Sequence, residues 1–221
     1  MPICVDNQIS ELIKDGSIKI GPKVDAESLI QPSSIDLPVQ IDKVFQVPGE
    51  PDLSDGLSVD EFVNRYGQPV QKNKKRKIQL NRGNGYLAKL NCKLKFPNSL
   101  SAVCNPKSTS GRNGLHTKVV CCNRYDEVPE GYRGDLWVFI GPRAFNVRIG
   151  KNETLVQMRI VDGERWFIDK QNLIAIDRQS PLTINGTSKF GDDGLLLTLR
   201  VSDDMPMAFS RNTGRVLDWE G

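Results

Sequence analysis

Residues 34–41 read SIDLPVQI, a strict alternation in which Ile35, Leu37, Val39 and Ile41 take every second place. Successive side chains of an extended strand point to opposite faces, so this period of two puts the four aliphatic residues on one buried side. The same short runs recur at 44–47, 77–80, 85–94, 102–104, 117–122, 135–140, 145–149 and 154–161, broken by Gly, Pro and Asn. Many short strands at regular spacing with little helix between them predict a mainly β fold, an antiparallel sandwich or distorted barrel of the jelly-roll kind.

Helix is predicted in two places. Ile9, Leu12 and Ile13 follow the polar Asp6 and Asn7 and stop at Asp15-Gly16, as in a short amphipathic helix with a polar cap; residues 57–66 suggest a second. Past Gly163 the character changes. Residues 165–177 mix apolar and charged side chains, and 181–193 are rich in Gly, Ser, Thr and Asn. The expected organisation is a nucleotide-binding barrel over 1–163, a linker over 164–193, and a strand pair over 194–221. In that pair GLLLTLRV (194–201) forms one strand, and 207–218 form a further short pair around residues 212–214. A tail of about 30 residues cannot bury a core of its own, so it must pack on the first domain, on a partner subunit, or on sequence outside this chain.

Composition bounds the function classes. At 221 residues and 38% hydrophobic, the chain can bury a real core. No stretch reaches about 18 consecutive apolar residues, and the opening MPICVDNQISELIKDG has acids and polar residues where a signal peptide needs a basic end and an apolar run. A cytoplasmic protein without a membrane partner is expected. Five cysteines form an odd set without disulfide spacing, which fits small buried apolar groups in a reducing compartment; adjacent Cys121 and Cys122 are expected on opposite sides of a strand. Thirty bases against 27 acids give a net charge of +3, too balanced for a polyanion partner. The cluster Lys72, Lys74, Lys75, Arg76, Lys77 lacks interleaved aromatics and fits a solvated loop better than a nucleic-acid grip.

Chemistry concentrates in residues 105–115, NPKSTSGRNGL, where hydroxyls, two cations and two glycines share eleven positions. Backbone N–H groups, Ser108 and Thr109, and the charges of Lys107 and Arg112 together suit a polyphosphate. The segment is not a Walker loop and follows a strand with no obvious helix after it. On pattern alone, phosphate binding and a polar turn are equally good readings.

Three further segments, IQPSSIDL (30–37), DEVPEGYRG (126–134) and GKNETLVQM (150–158), stand in the order found in the deoxyuridine-triphosphatase and deoxycytidine-triphosphate (dCTP) deaminase superfamily. Within it the chain resembles the two-repeat dCTP deaminases, through Pro-Lys-Ser-Thr at 106–109, Gly-Tyr-Arg-Gly at 131–134 and IGPRAF at 140–145. GLLLTLRV and FSRNTGRVLD (209–218) resemble the opening of that family's second repeat. The resemblance implies a dUTPase-like distorted barrel, a homotrimer, and hydrolytic deamination of dCTP to deoxyuridine triphosphate (dUTP) and ammonia. Lys107, Ser108 and Thr109 would hold the triphosphate, and Arg112 would bind phosphate and order the site. Asp126 would contact the deoxyribose, and Tyr132 would pack on the sugar where a 2′-hydroxyl would clash. Asp36 and Gln157 would organise the phosphate site, with Mg²⁺ carried by the triphosphate oxygens.

Zinc deamination needs His and Cys ligands with a Pro-Cys-x-x-Cys segment; there is no C-x-x-C, and the single histidine, His116, suits packing at a strand start. The metal-free family instead uses a glutamate about five residues after the turn glycine as general base. Counted from Gly134 that position is Phe139, a departure, and Glu127 and Glu130 lie on the loop before the strand. Two alternatives therefore accompany the deaminase: a dUTP diphosphatase in which Asp126 orients water, and a nucleotide-binding homologue without activity.

Overall fold

The computed structural model describes residues 3–52, 56–163, 168–183, 188–191 and 194–196, and the backbone of 216–218. In chain order the elements are α1 (Asp6–Lys14), β1 (Ile18–Ile20), a 3-10 turn (Glu27–Leu29), β2 (Ile30–Gln31), β3 (Ser34–Val47), α2 (Val59–Tyr66), β4 (Gln68–Pro69) and β5 (Ile78–Leu80). Then come β6 (Gly85–Lys95), β7 (Leu100–Pro106), α3 (Ser108–Arg112), β8 (Leu115–Cys121), β9 (Arg124–Tyr125), β10 (Glu127–Val128), β11 (Arg133–Pro142), β12 (Asn146–Ile149) and β13 (Thr154–Asp162). Last are α4 (Lys170–Gln179), β14 (Lys189–Gly191), β15 (Gly194–Leu196) and β16 (Val216–Asp218). The chain divides into two compact units, 1–164 with 211–221, and 165–210.

The first unit is a mainly β, nearly closed barrel of the kind expected. Its principal sheet runs β10-β7-β13-β3-β6-β11-β8-β9, and a smaller sheet joins β16, β12 and β5. Only Asp126 separates β9 from β10, so the two ends of the path are one continuous piece of chain. Asp126 N–H donates to the Val119 carbonyl at 2.8 Å, and its own carbonyl accepts from Cys104 N–H at 2.8 Å, which ties β8 to β7. Closure removes the free sheet edges that would otherwise offer unpaired N–H and C=O groups.

β3 carries the alternation of residues 34–41 into the barrel: Ile35, Leu37 and Val39 are fully buried in the main core. β11 is apolar in a continuous run because both of its faces are covered. Leu136, Val138 and Ile140 enter the main core, while Trp137 and Phe139 join Val47, Leu87 and Val120 in a second cluster beneath Val59 and Val63 of α2. Glu61 accepts from the Ser58 N–H at 2.9 Å and Ser58 Oγ accepts from the Glu61 N–H at 3.3 Å, a capping box that starts α2 where sequence suggested a helix.

Some expectations are corrected. The cap of α1 is not Asp6 or Asn7: Val5 is the capping position, and its N–H donates to Gln8 Oε1 at 3.0 Å. Cys121 and Cys122 do not face opposite sides of a strand. β8 ends at Cys121, and Cys122 and Asn123 have φ of 46° and 57°, the tight two-residue turn of a hairpin to β9. Burial pushes the Cys92 and Cys121 thiols up to about 12, which keeps both protonated. A helix does follow the strand before the phosphate segment, the five-residue α3.

Residues 164–193, expected as a linker, contain α4 and β14 in the second unit. Asp169 caps α4 by accepting from Asn172 N–H at 2.8 Å, and β14 forms a hairpin with β15. Of the expected strand at 194–201, Gly194–Leu196 is described and 197–201 lie outside the described residues. Of 207–218, β16 is described and pairs parallel with β12 of the first unit, and the rest lies outside the described residues. Among the described residues no helix is long and apolar enough to cross a membrane.

Leu37 has no solvent exposure and sits mid-barrel on β3. Leu37→Ala is expected to cost about 3 kcal/mol through the cavity it leaves, read as a lower urea midpoint with an unchanged slope.

Candidate active site

The phosphate segment is a turn stapled to β13. Lys107 keeps an extended backbone, and its N–H donates to the Leu155 carbonyl at 3.1 Å. The same carbonyl accepts from the fully buried Ser110 hydroxyl at 2.6 Å. Gly111 and Asn113 N–H groups then bond back to the Lys107 and Thr109 carbonyls at 3.1 Å each, which winds α3. Ser108 and Arg112 are left exposed and Thr109 half-buried.

The turn is tied to an ion pair whose acid is buried and whose lysine is half-buried. Lys107 Nζ is 2.6 Å from Asp36 Oδ2 and donates to Thr154 Oγ1 at 2.7 Å, and the Asp36 side chain is only 9% exposed. A carboxylate so deep needs a cation, and Asp36 can sit there because Lys107, itself held by Thr154, pairs with it. Gln157 stands opposite Asp36 across β13 and β3 and opposite Asn105 on β7. Asp36, Lys107, Gln157 and the Ser108–Arg112 turn are thus assembled on adjacent strands. Because Asp36 holds its ammonium, Lys107 organises the turn from below.

Asp126 lies between β9 and β10, where β7 holds it through Cys104, and Tyr132 lies just before β11. Asp126 has φ of 58°, and its carboxylate Oδ1 accepts from the Val119 N–H at 2.8 Å. Burial pushes its pKa above the ordinary carboxylate value, opposed by that hydrogen bond and by the charge of Lys118. Tyr132 packs on the main core and donates from its hydroxyl to the Asp135 carbonyl at 2.6 Å. A Cβ on Gly134 would lie 2.6 Å from that hydroxyl oxygen, so the ring dictates the motif's second glycine. Burial raises the Tyr132 phenol well above its usual value.

Phe139 is 3% exposed in the second apolar cluster, and its ring meets His116 edge-on at 6.4 Å. Of the two acids near it in sequence, Glu127 lies 3.7 Å from Arg124 and Glu130 is exposed. Among the described residues no three His, Cys, Asp or Glu side chains converge to hold a metal ion.

Residues 2–164 match the family model described as 2′-deoxycytidine 5′-triphosphate deaminase N-terminal domain. The chain belongs to this family. A solved 2′-deoxycytidine 5′-triphosphate deaminase from Agrobacterium tumefaciens is similar at 27% identity and a TM-score of 0.69, over 81% of this chain and 54% of the relative. The chain therefore spans about half the length of that relative. EIAV dUTPase aligns over 47% of this chain and 82% of its own at 16% identity and a TM-score of 0.34. A Staphylococcus bacteriophage 80alpha dUTPase aligns over 42% of this chain and 78% of its own at 15% identity and a TM-score of 0.33. No curated protein matches the chain.

For this dCTP deaminase family member, sequence missed Ser110 and Thr154, which lie inside the quoted motifs but act downward on the frame. It also missed Glu50, whose carboxylate reaches Lys118 at 2.6 Å across 68 positions of chain.

Lys107→Met would strand the Asp36 carboxylate in the barrel wall and is expected to cost about 3 kcal/mol of stability, part of it recovered in Asp36→Asn/Lys107→Met. For Asp126, burial holds the folded-state pKa above the unfolded one, so its contribution is most favourable below the unfolded pKa and is lost as pH rises through the folded pKa. Asp126→Asn keeps an acceptor for Val119 and tolerates the left-handed backbone. It should raise Tm at pH 7, with the gain shrinking as pH falls below the carboxylate range.

Proposed function

We propose that the barrel binds a pyrimidine deoxyribonucleoside triphosphate on the Ser108–Arg112 turn, and that the protein hydrolyses dCTP to dUTP and ammonia. The observation that carries this is the turn itself. It is fixed from below by Leu155, Asp36 and Thr154, leaving Ser108, Thr109 and Arg112 outermost. Preorganised hydroxyls and a guanidinium recognise phosphate oxygens with little ordering cost on binding. Mg²⁺ would arrive on the triphosphate oxygens. Membership of the dCTP deaminase family and the likeness to the Agrobacterium enzyme support the base and the reaction.

Asp126 would contact the sugar and Tyr132 would pack against it. A homotrimer, with sugar-contacting and phosphate-contacting residues meeting across subunits, is proposed from membership of the family. Binding without turnover is the second reading, favoured by the burial of Phe139 at the position where the family's base is expected.

Incubation with dCTP and Mg²⁺, with chromatographic detection of ammonia, dUTP, deoxyuridine monophosphate and pyrophosphate, separates these outcomes. Ammonia with dUTP supports the deaminase; binding with no product supports the second reading; pyrophosphate without ammonia overturns both. Arg112→Ala is expected to weaken dCTP binding by about 2 kcal/mol, some 30-fold, in titration calorimetry.

A further inference from the structure

β8 and β11 are paired so that Lys118 stands opposite Phe139 and His116 opposite Gly141. The two basic side chains therefore share a sheet face with the Phe139 ring. Across that face lies the chain that leaves β3. A Cβ on Gly85 would meet the Phe139 ring at 3.0 Å and the Gly49 carbonyl carbon at 3.5 Å, so Gly49 passes directly over both. Tyr125 fastens the strap by donating from its hydroxyl to the Pro51 carbonyl. Between these anchors Glu50 places one carboxylate oxygen 2.6 Å from Lys118 Nζ and the other 3.8 Å from His116 Nε2. Its side chain is 32% exposed, so a small molecule can reach it. The Asp126 carboxyl feels the charges of Lys118, His116 and Glu50, which puts the expected sugar-contacting acid in the same neighbourhood.

We infer that Glu50 is the proton-transferring carboxylate of this site, carried to the face beside Phe139 by the β3–α2 connection. This rests on the deaminase function proposed above. A water molecule attacks C4 of cytosine and forms a C–O bond as one of its protons passes to Glu50. The electron pair of the C4=N3 bond moves to N3, which takes a proton from solvent. Glu50 then gives its proton to the exocyclic nitrogen, the C4–N bond breaks, ammonia leaves, and loss of the second water proton gives the C4 carbonyl of uracil. Water is the only co-reactant and nothing is oxidised. Lys118 holds the carboxylate in place, and Phe139 supplies an apolar wall that limits competing water.

The test compares full-length parent, Glu50→Gln and Lys118→Met for ammonia release from dCTP and for dCTP affinity. Glu50→Gln should lower kcat at least 100-fold with affinity within about threefold. The groups around Glu50 are His116 and Lys118 on β8, Tyr125 on β9, Asp126 beyond it, and Asp52 on the strap. Lys118→Met removes the 2.6 Å partner that positions the Glu50 carboxylate, and should lower kcat at least 10-fold with dCTP affinity within about threefold. That split between kcat and affinity tests Glu50 even where Glu50→Gln fails to fold. Parent turnover that persists in Glu50→Gln, or a kcat unchanged in Lys118→Met, overturns the assignment while the deaminase stands; a parent that releases no ammonia overturns both.

Discussion

A single residue in the left-handed conformation closes this barrel. Asp126 bonds through its N–H and its carboxylate to Val119 on β8, and through its carbonyl to Cys104 on β7. The two terminal strands of the sheet path can meet only where the chain turns sharply between β9 and β10. An L-residue tolerates φ near 58° poorly unless its side chain is short and polar, as in Asp or Asn. The residue expected to contact the sugar is therefore also the one that joins the sheet, and its carboxyl is held half-buried as a result.

The phosphate turn obeys a second constraint of the same kind. Ser110 and Lys107 point down, to Leu155, Asp36 and Thr154, while Ser108, Thr109 and Arg112 are left outermost. The division of labour follows from α3, in which residues separated by about one turn share a side. Function on one side is bounded by polar satisfaction on the other, since neither the Asp36 carboxylate nor the Ser110 hydroxyl could remain buried without its partner.

Much of the barrel was legible because strand alternation is local and dense: Ile35, Leu37 and Val39 announce their face within six residues. The phosphate turn was legible for a similar reason, with hydroxyls, glycines and cations contiguous. What could not be read depends on pairing at a distance. Asp36 is buried because Lys107 reaches it from the junction of β7 and α3, and Glu50 meets Lys118 from a strap 68 positions away; no local pattern encodes either encounter. Cys122 was misassigned for a different reason, since a two-residue turn without glycine looks like a continued strand. The helix α4 was hidden because residues 165–177 mix apolar and charged side chains and lead into a stretch, 181–193, rich in turn formers.

The pairing of β3 with β13 joins residue 36 to residue 157. During synthesis the earlier strand must therefore wait for some 120 further residues before its neighbour leaves the ribosome, on the order of ten seconds at ordinary elongation rates. Through that interval the edge of β3 that will pair with β13 lacks its partner strand. Cells making this chain would be expected to rely on chaperones that shield exposed strands, and sudden slowing of translation between residues 100 and 160 would harm its yield more than slowing elsewhere.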